Sequence, residues 1–467
     1  MKSLCLLLFF GWGAGLCAQQ EILGDWHGTL DVQGVMQLRI VFHIQSAGEG
    51  LSATLDSPDQ GAFGLPVAET RYEAPTLTLL MPALQARFEG ALAEDHQRIE
   101  GTFHQGGLSL PLVLTREALE APRRPQEPQP PFPYRAEEVR FENAAQGITL
   151  AGTLTLPPGS GPHPAVVLVS GSGPQNRDEE LMGHKPFLVI ADYLTRRGIA
   201  VLRYDDRGVG ASEGVFAGAT SEDLATDVEA ALDFLKNRSD LAPDKIGIVG
   251  HSEGGLLAPM VAARRKDVAF IVLLAGPGVP GKEVLEKQVR LIELANGTDS
   301  LEVERRVAFN RELFEIVCAE PDSATLRRRL AQTLRRQYES LRPEQKARIG
   351  DPDSTIQQQL NTFLDPWFRF FLCYDPAPAL ERVRCPVLAL NGEKDLQVEP
   401  KQNLGAIRAA LERGGNPHHT LKELPGLNHL FQTCQTGSPN EYQQIEETFA
   451  PEALEELASW ILGVVGG

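Results

Sequence analysis

Between Asp25 and Thr115 the chain alternates in character. Met36, Leu38, Ile40, Phe42 and Ile44 fall on one side of an extended backbone, and Gln37, Arg39, His43 and Gln45 fall on the other. Leu51, Ala53 and Leu55 keep the same rule, as do Leu108, Leu110, Leu112 and Leu114. A period of two predicts half-buried strands. The turn-rich stretches between them, "SAGEG", "DSPDQGAFG" and "HQGG", predict an antiparallel sheet or small barrel over residues 19–115. It holds no catalytic constellation, which favours a structural or docking role over a ligand-binding barrel. Residues 116–135 then bring prolines at 122, 125, 128, 130, 131 and 133. That composition predicts an extended interdomain linker with few contacts.

From residue 136 to 467 the pattern changes. "PAVVLVSGSGP", "GIAVLRYDDRG", "DKIGIVGHSEGG", "VAFIVLLAGPG" and "CPVLALNGEKD" each run a short apolar stretch into a loop bearing glycine or aspartate. Helical stretches fall between them, at Pro186 to Arg197, Ser221 to Lys236 and Ser252 to Arg265. Continuous apolar strands separated by helices predict a mostly parallel sheet covered on both faces, with function at the carboxyl ends of the strands. A further stretch, about 281–375, has helical periodicity and many charges. It reads as a helical insertion, and a lid over the site is the functional version of that reading.

Composition narrows the picture. A chain of 467 residues is long enough for two domains. Its net charge of -18 argues against nucleic acid and anionic lipid surfaces as partners, leaving small neutral or cationic substrates. Lys2, the apolar run Leu4 to Phe10 and the small residues up to Ala18 read as a secretory signal peptide over 1–18, too short to span a membrane. A lipid anchor on Cys17 is the rival, weakened by the bulky Leu16 before it. No later stretch approaches the length of a membrane span, so the expected location is periplasmic or extracellular. Cys318, Cys373, Cys385 and Cys434 would then be free to form disulfides, with no pairing assigned by spacing and no metal-binding pattern among them.

The candidate chemistry begins with a duplicated pattern. Gly210-Ala211-Ser212-Glu213-Gly214 and Gly250-His251-Ser252-Glu253-Gly254 both read G-x-S-x-G, the form of a serine nucleophile on a tight turn between strand and helix. Only Ser252 has a strand, "KIGIV", running into it and a helix-forming stretch leaving. Ser212 lies in a glycine loop well after "IAVLRY", and the hydroxyls of Thr220 and Ser221 read as caps of the next helix. A base and an orienting acid are also needed. His429, in "PGLNHLF" beyond the last predicted strand, is the candidate base, in preference to His418 and His419 at that strand's start. Asp395 at the end of "VLALNGEKD" is the candidate acid, with Glu393 and Glu399 as neighbours of the same chemistry. The loop "SGSGPQNRDE" supplies Ser172, or Gly171 beside it, to donate a backbone N–H to a developing oxyanion together with Glu253.

The segments "VSGSGPQNRDE", "RYDDRGVGASEG", "GHSEGG", "LNGEKDLQV" and "LPGLNHLF" together resemble the α/β-hydrolase superfamily, and within it bacterial two-domain carboxylesterases that carry a small β domain ahead of the hydrolase. The resemblance implies an α/β-hydrolase fold with a helical lid insertion, preceded by a small antiparallel β domain. It implies Ser252 as nucleophile, Asp395 as orienting acid and His429 as base, in the chain order of that fold. The activity implied is cleavage of a small carboxylic ester through an acyl-enzyme, with no metal or organic cofactor. A serine aminopeptidase or amidase shares this machinery, and Glu253 or carboxylates of the lid could receive a substrate amine. A non-catalytic binding protein on the same scaffold is the reading from another class. Apolar residues of the insertion, including Leu291, Leu294, Val307, Phe314, Phe363, Trp367 and Phe371, are candidates to face the body, with Trp367 and Phe371 lining the acyl pocket.

Overall fold

The computed structural model describes residues 20–466 apart from 33–35, 49, 61, 106–107, 120–122, 344 and 347–350. The segment read as a signal peptide, 1–18, lies outside the described residues. The chain divides into two compact units, the first formed mainly by residues up to 122 and the second mainly by Arg123 onward.

In the first unit the alternation becomes β1 (Gly24–Val32), β2 (Met36–Ala47), β3 (Gly50–Ser57), β4 (Ala62–Val67), β5 (Glu69–Glu73), β6 (Thr76–Met81), β7 (Ala86–Leu92), β8 (Arg98–Gln105) and β9 (Leu108–Thr115). They form one antiparallel sheet in the order β4-β3-β2-β1-β9-β8-β7-β6-β5. The edge strands β4 and β5 are separated in the chain by Ala68 alone, so the sheet has to roll back on itself. The inward side chains, Trp26, Ile40, Phe42, Leu79 and Phe88 among them, are buried in one core. Trp26 satisfies its only polar atom by donating from Nε1 to the Ile22 carbonyl at 2.8 Å.

The second unit holds β10 (Arg135–Asn143), β11 (Ile148–Leu156), β12 (His163–Val169), β13 (Ala200–Tyr204), β14 (Leu241–His251), β15 (Ile271–Leu274), β16 (Val387–Gly392) and β17 (His419–Leu424). The sheet order is β10-β11-β13-β12-β14-β15-β16-β17, with β10 and β11 antiparallel and β12 to β17 parallel. One face is covered by the helices Ser221–Lys236, Gly254–Ala262 and Pro400–Arg413, and the other by Pro186–Arg196 and Pro451–Gly466. Burial on both faces explains why these strands read as unbroken apolar runs. Because they are parallel, the loops after β12, β14, β16 and β17 all leave from one edge. The chain order reverses at β12, which places the switch point between β12 and β14, where ligands of such sheets bind.

The insertion between β15 and β16 comprises the helices Gly281–Ala295, Ser300–Ala319, Ser323–Ser340, Pro352–Leu364, Pro366–Cys373 and Ala377–Leu380. Asp299, Asp322 and Asp365 cap three of them with side-chain oxygens. Its apolar residues divide. Phe314, Leu330, Leu360 and Phe363 belong to a core of the insertion's own, whereas Trp367, Phe370 and Phe371 pack on the core of the hydrolase sheet. Leu294 faces solvent. A disulfide, Cys318–Cys373, staples two of the helices, and Cys385 and Cys434 are free thiols.

The proline-rich segment departs from the expectation of few contacts. From Arg123 it belongs to the second unit. Arg124 donates to the carbonyls of Gln443 and Ile445, and the Gln126 side chain exchanges hydrogen bonds with Phe449 and Thr448. Proline fixes the extended backbone, and the intervening polar side chains bind it to the body.

Candidate active site

Ser252 follows β14 directly and has φ of +51°, a left-handed conformation costly for a residue with a β-carbon, of order 1–3 kcal/mol. The strain is imposed by the close crossing of strand and helix. A β-carbon on Gly250 would lie 2.0 Å from the Gly254 carbonyl oxygen, and one on Gly254 would lie 2.1 Å from that of Val169. The turn therefore needs both glycines of the pattern. The helix Gly254–Ala262 starts at once, with Glu253 at its cap position.

His429 and Asp395 meet at the same sheet edge. His429 Nδ1 lies 2.7 Å from Asp395 Oδ2, and both side chains are buried. A carboxylate can only accept, so Nδ1 carries the proton and Nε2 is left for a hydroxyl. Asp395 is itself fixed, accepting from the Gln397 and Val398 backbone N–H groups at 2.8 Å and from Asn391 Nδ2 at 3.0 Å. The competing carboxylates have other work: Glu393 accepts from Gly426 N–H, and Glu399 caps the helix that starts at Pro400. His418 is exposed, and His419 contacts a backbone carbonyl. The register of β17 with β16, which pairs Gly392 with Leu424, brings the Asp395 and His429 loops side by side.

Ser170 and Gly171 are gripped by different buried acids. Ser170 Oγ donates to Asp206 Oδ1 at 3.2 Å, and Gly171 N–H donates to Glu179 Oε1 at 2.6 Å. Asp206 also accepts from the Gln175 N–H at 2.9 Å. Burial pushes the Asp206 carboxyl up to about 8, and the carboxyls of Asp227 and Glu253 add to the rise against the hydrogen bonds that lower it. Burial likewise raises Glu253 above its ordinary value. The expectation for Gly171 needs correction, because its N–H is taken by Glu179. Ser172 remains, with Glu253, as a backbone donor with no protein acceptor among the described residues.

Glu253 also ties in the insertion. Its carboxyl accepts from Ser221 Oγ at 2.6 Å and from Trp367 Nε1 at 2.8 and 3.0 Å. Ser221 is therefore no cap, and Thr220 alone fills that role in a capping box with Asp223. Trp367 and Phe371 stack with ring centroids 5.6 Å apart, and Phe371 is buried. The first serine motif is built differently. Ser212 Oγ donates to the Asp205 carbonyl at 2.6 Å and accepts the Ala151 N–H at 2.9 Å.

Sequence reasoning passed over Glu179, Asp206 and the ring of His251. Each lies one to nine residues from a residue it singled out, and the acid-rich strings "NRDEE" and "YDDRG" beside the oxyanion loop were the available signal. Their partners became visible only when β12, β13 and β14 were laid side by side.

A strained serine after a central parallel strand, a histidine held by a carboxylate from the neighbouring loop and small residues in the loop after β12 define an α/β-hydrolase arrangement. The profile of the alpha/beta hydrolase family matches residues 166–436, more than half of the chain, and the chain belongs to that family. It is similar to Esterase EstD of Thermotoga maritima, 28% identical over 314 residues that cover 67% of this chain and 65% of the relative. It also resembles the putative hydrolase YtaP of Bacillus subtilis, 33% identical over 119 residues, 22% of this chain and 40% of the relative. The match thus spans less than two thirds of either relative. An esterase structure from Pyrococcus furiosus aligns with a TM-score of 0.43 at 15% identity, covering 74% of this chain and 98% of that one.

Proposed function

We propose that the chain is an exported serine esterase with Ser252 as nucleophile, His429 as base and Asp395 as the acid that orients it. The observation that carries the reading is the 2.7 Å bond between His429 Nδ1 and Asp395, made at the sheet edge where Ser252 stands in its left-handed turn. The likeness to a protein named an esterase supports it.

His429 Nε2 takes the Ser252 proton as Oγ attacks the ester carbonyl, and the resulting imidazolium is held by Asp395. The oxyanion is received by the N–H groups of Ser172 and Glu253. His429 then gives its proton to the leaving alcohol and removes one from water to release the acyl group. Ester rather than peptide cleavage is favoured by Glu253, whose buried carboxyl already accepts from Ser221 and Trp367. Export is supported by the character of residues 1–18 and by the Cys318–Cys373 disulfide, which suits an oxidising compartment. No described helix is long and apolar enough to cross a membrane. A fluorophosphonate probe together with short-chain p-nitrophenyl esters tests the reading: label and turnover should both vanish in Ser252→Ala, and an unlabelled parent chain would refute it.

A further inference from the structure

His251, the residue before the nucleophile, has both ring nitrogens on acceptors. Nε2 lies 3.1 Å from the backbone oxygen of His429, and Nδ1 lies 2.9 Å from Glu179 Oε1. A carbonyl oxygen can only accept, so Nε2 carries a proton. Glu179 Oε1 already receives the Gly171 N–H at 2.6 Å, which suits a carboxylate accepting from two sides. Nδ1 then carries a proton as well. Two acceptors require two donors, and only the imidazolium has two.

We infer that His251 is a positioning residue held doubly protonated against Glu179, that this charged pair sets the oxyanion loop against the catalytic histidine, and that loss of its proton closes the alkaline side of the activity profile. The inference rests on the esterase reading above. It concerns a second histidine with the opposite protonation requirement: His429 has to be neutral to work, and His251 has to be charged.

The surroundings fit. Burial opposes the charge, but the Glu179 carboxylate and its hydrogen bond outweigh burial and raise the His251 pKa above the ordinary value, aided by the His429 carbonyl and Asp395. The titratable groups facing the ring are Glu179 from the loop after β12, Asp395 from the loop after β16 and His429 from the loop after β17. The His429 ring centroid is 5.0 Å away. The other neighbours are apolar, Phe187, Ile190, Leu274 and Phe449 among them, around a cavity of about 10 Å³. That is at most room for one water.

The path to the reaction is short. His251 grips His429 by its carbonyl, and through Glu179 it grips Gly171, the neighbour of the Ser172 donor. A β-carbon on Gly171 would lie 3.1 Å from the Ser252 β-carbon, so this loop abuts the nucleophile. If His251 loses a proton while keeping its bond to His429, the bare Nδ1 lone pair faces the Glu179 carboxylate. Repulsion then moves the loop by an amount that oxyanion geometry does not tolerate. The sign follows from the raised pKa. The pair's contribution is present in full below the pKa of an unfolded histidine and is lost as pH rises through the higher folded value.

Glu179→Gln tests this with little change of shape. With its amide oxygen in the place of Oε1 the side chain still accepts from the Gly171 N–H and from a proton on His251 Nδ1, so the shape and the acceptor stay and only the carboxylate charge that holds the second ring proton leaves. A purely structural role predicts unchanged turnover and an unchanged pH profile. The inference predicts a kcat lower by about tenfold or more, KM within about twofold, and an alkaline limb that disappears or moves. Nitrogen NMR of the full chain labelled at histidine, with His251 assigned through its loss in His251→Asn, gives a reading independent of catalysis. At pH 7 both ring nitrogens should carry protons in the unmodified chain, and one bare nitrogen there overturns the inference even if Glu179→Gln does not fold. A parent chain that neither hydrolyses esters nor takes the fluorophosphonate would defeat the esterase reading, with the NMR result still deciding the protonation of the pair.

Discussion

Two loops of this protein share four of five residues, Gly210-Ala211-Ser212-Glu213-Gly214 and Gly250-His251-Ser252-Glu253-Gly254, and the structure builds them differently. In the first, the serine hydroxyl is spent on its own scaffold, giving to Asp205 and receiving from Ala151, and Glu213 accepts a backbone N–H at an exposed site. In the second, the serine is held in a strained turn, and the glutamate is buried between a helix and the insertion. A pentapeptide cannot specify either outcome. What separates them is the element on each side: β14 runs straight into Ser252 and a helix leaves at Gly254, whereas β13 ends at Tyr204, well ahead of Ser212.

The sharpest way to break this contrast is to remove the serines in turn. Ser252→Ala should lower kcat by at least about 10⁴-fold and abolish probe labelling, while Ser212→Ala should leave kcat within about twofold. Labelling that survives in the Ser252 variant and vanishes in the Ser212 variant would reverse the assignment. His429→Gln comes next, with a loss of about 10³-fold or more, against less than twofold for His418→Ala. A requirement for His418 instead would mean that the loop after β17 is not the catalytic one.

Trp367 extends the comparison to side chains that only the second loop recruits. Its indole N–H holds Glu253, the residue proposed to donate its own N–H to the oxyanion, and its ring stacks on Phe371. Trp367→Ala should open the acyl side, raising kcat/KM for long-chain relative to short-chain esters by about tenfold while Ser252 still labels. A graded series of acyl esters measures this, and an unchanged chain-length profile would remove Trp367 from the pocket. Trp367→Phe, which keeps the ring and drops the N–H, should show how much of the effect passes through Glu253.

The legible part of the molecule was the part governed by local rules. Alternation marked the strands from Asp25 to Thr115, apolar runs marked β12 to β16, and the β14 elbow could be told from its double by its flanks. The insertion was legible as helices, but not the division of its apolar residues. Phe314 and Phe363 obey the same periodicity as Phe371, yet only Phe371 packs on the hydrolase core. Long-range polar partners were illegible for a different reason. Glu179 and His251 are 72 residues apart, and Asp206 reaches Ser170 across 36. No spacing rule joins residues whose proximity is created by strand order. Gly171 was misjudged for a local reason: Glu179 lies in the same loop, eight residues on, but the sequence does not say that the loop folds back to bring that carboxylate onto its N–H.

The smallest effect is the most telling, because it inverts the first. Ser212 Oγ satisfies the N–H of Ala151, which is buried. In Ser212→Ala that donor loses its acceptor and the Asp205 carbonyl loses a donor, a cost of about 1–3 kcal/mol with no reacting atom involved. Ser252, the proposed nucleophile, stands the other way round. Its left-handed φ is a standing cost that glycine does not bear, so Ser252→Gly should hold or slightly raise stability, by up to about 1 kcal/mol, while eliminating turnover. Urea unfolding followed by a probe of the hydrolase unit reads both. The expected pattern is a double dissociation, one variant active and less stable, the other inactive and no less stable. If Ser252→Gly instead loses stability as Ser212→Ala does, the turn at Ser252 stores no strain, and the distinction between a serine kept for structure and a serine kept for chemistry would have to rest on the flanking elements alone.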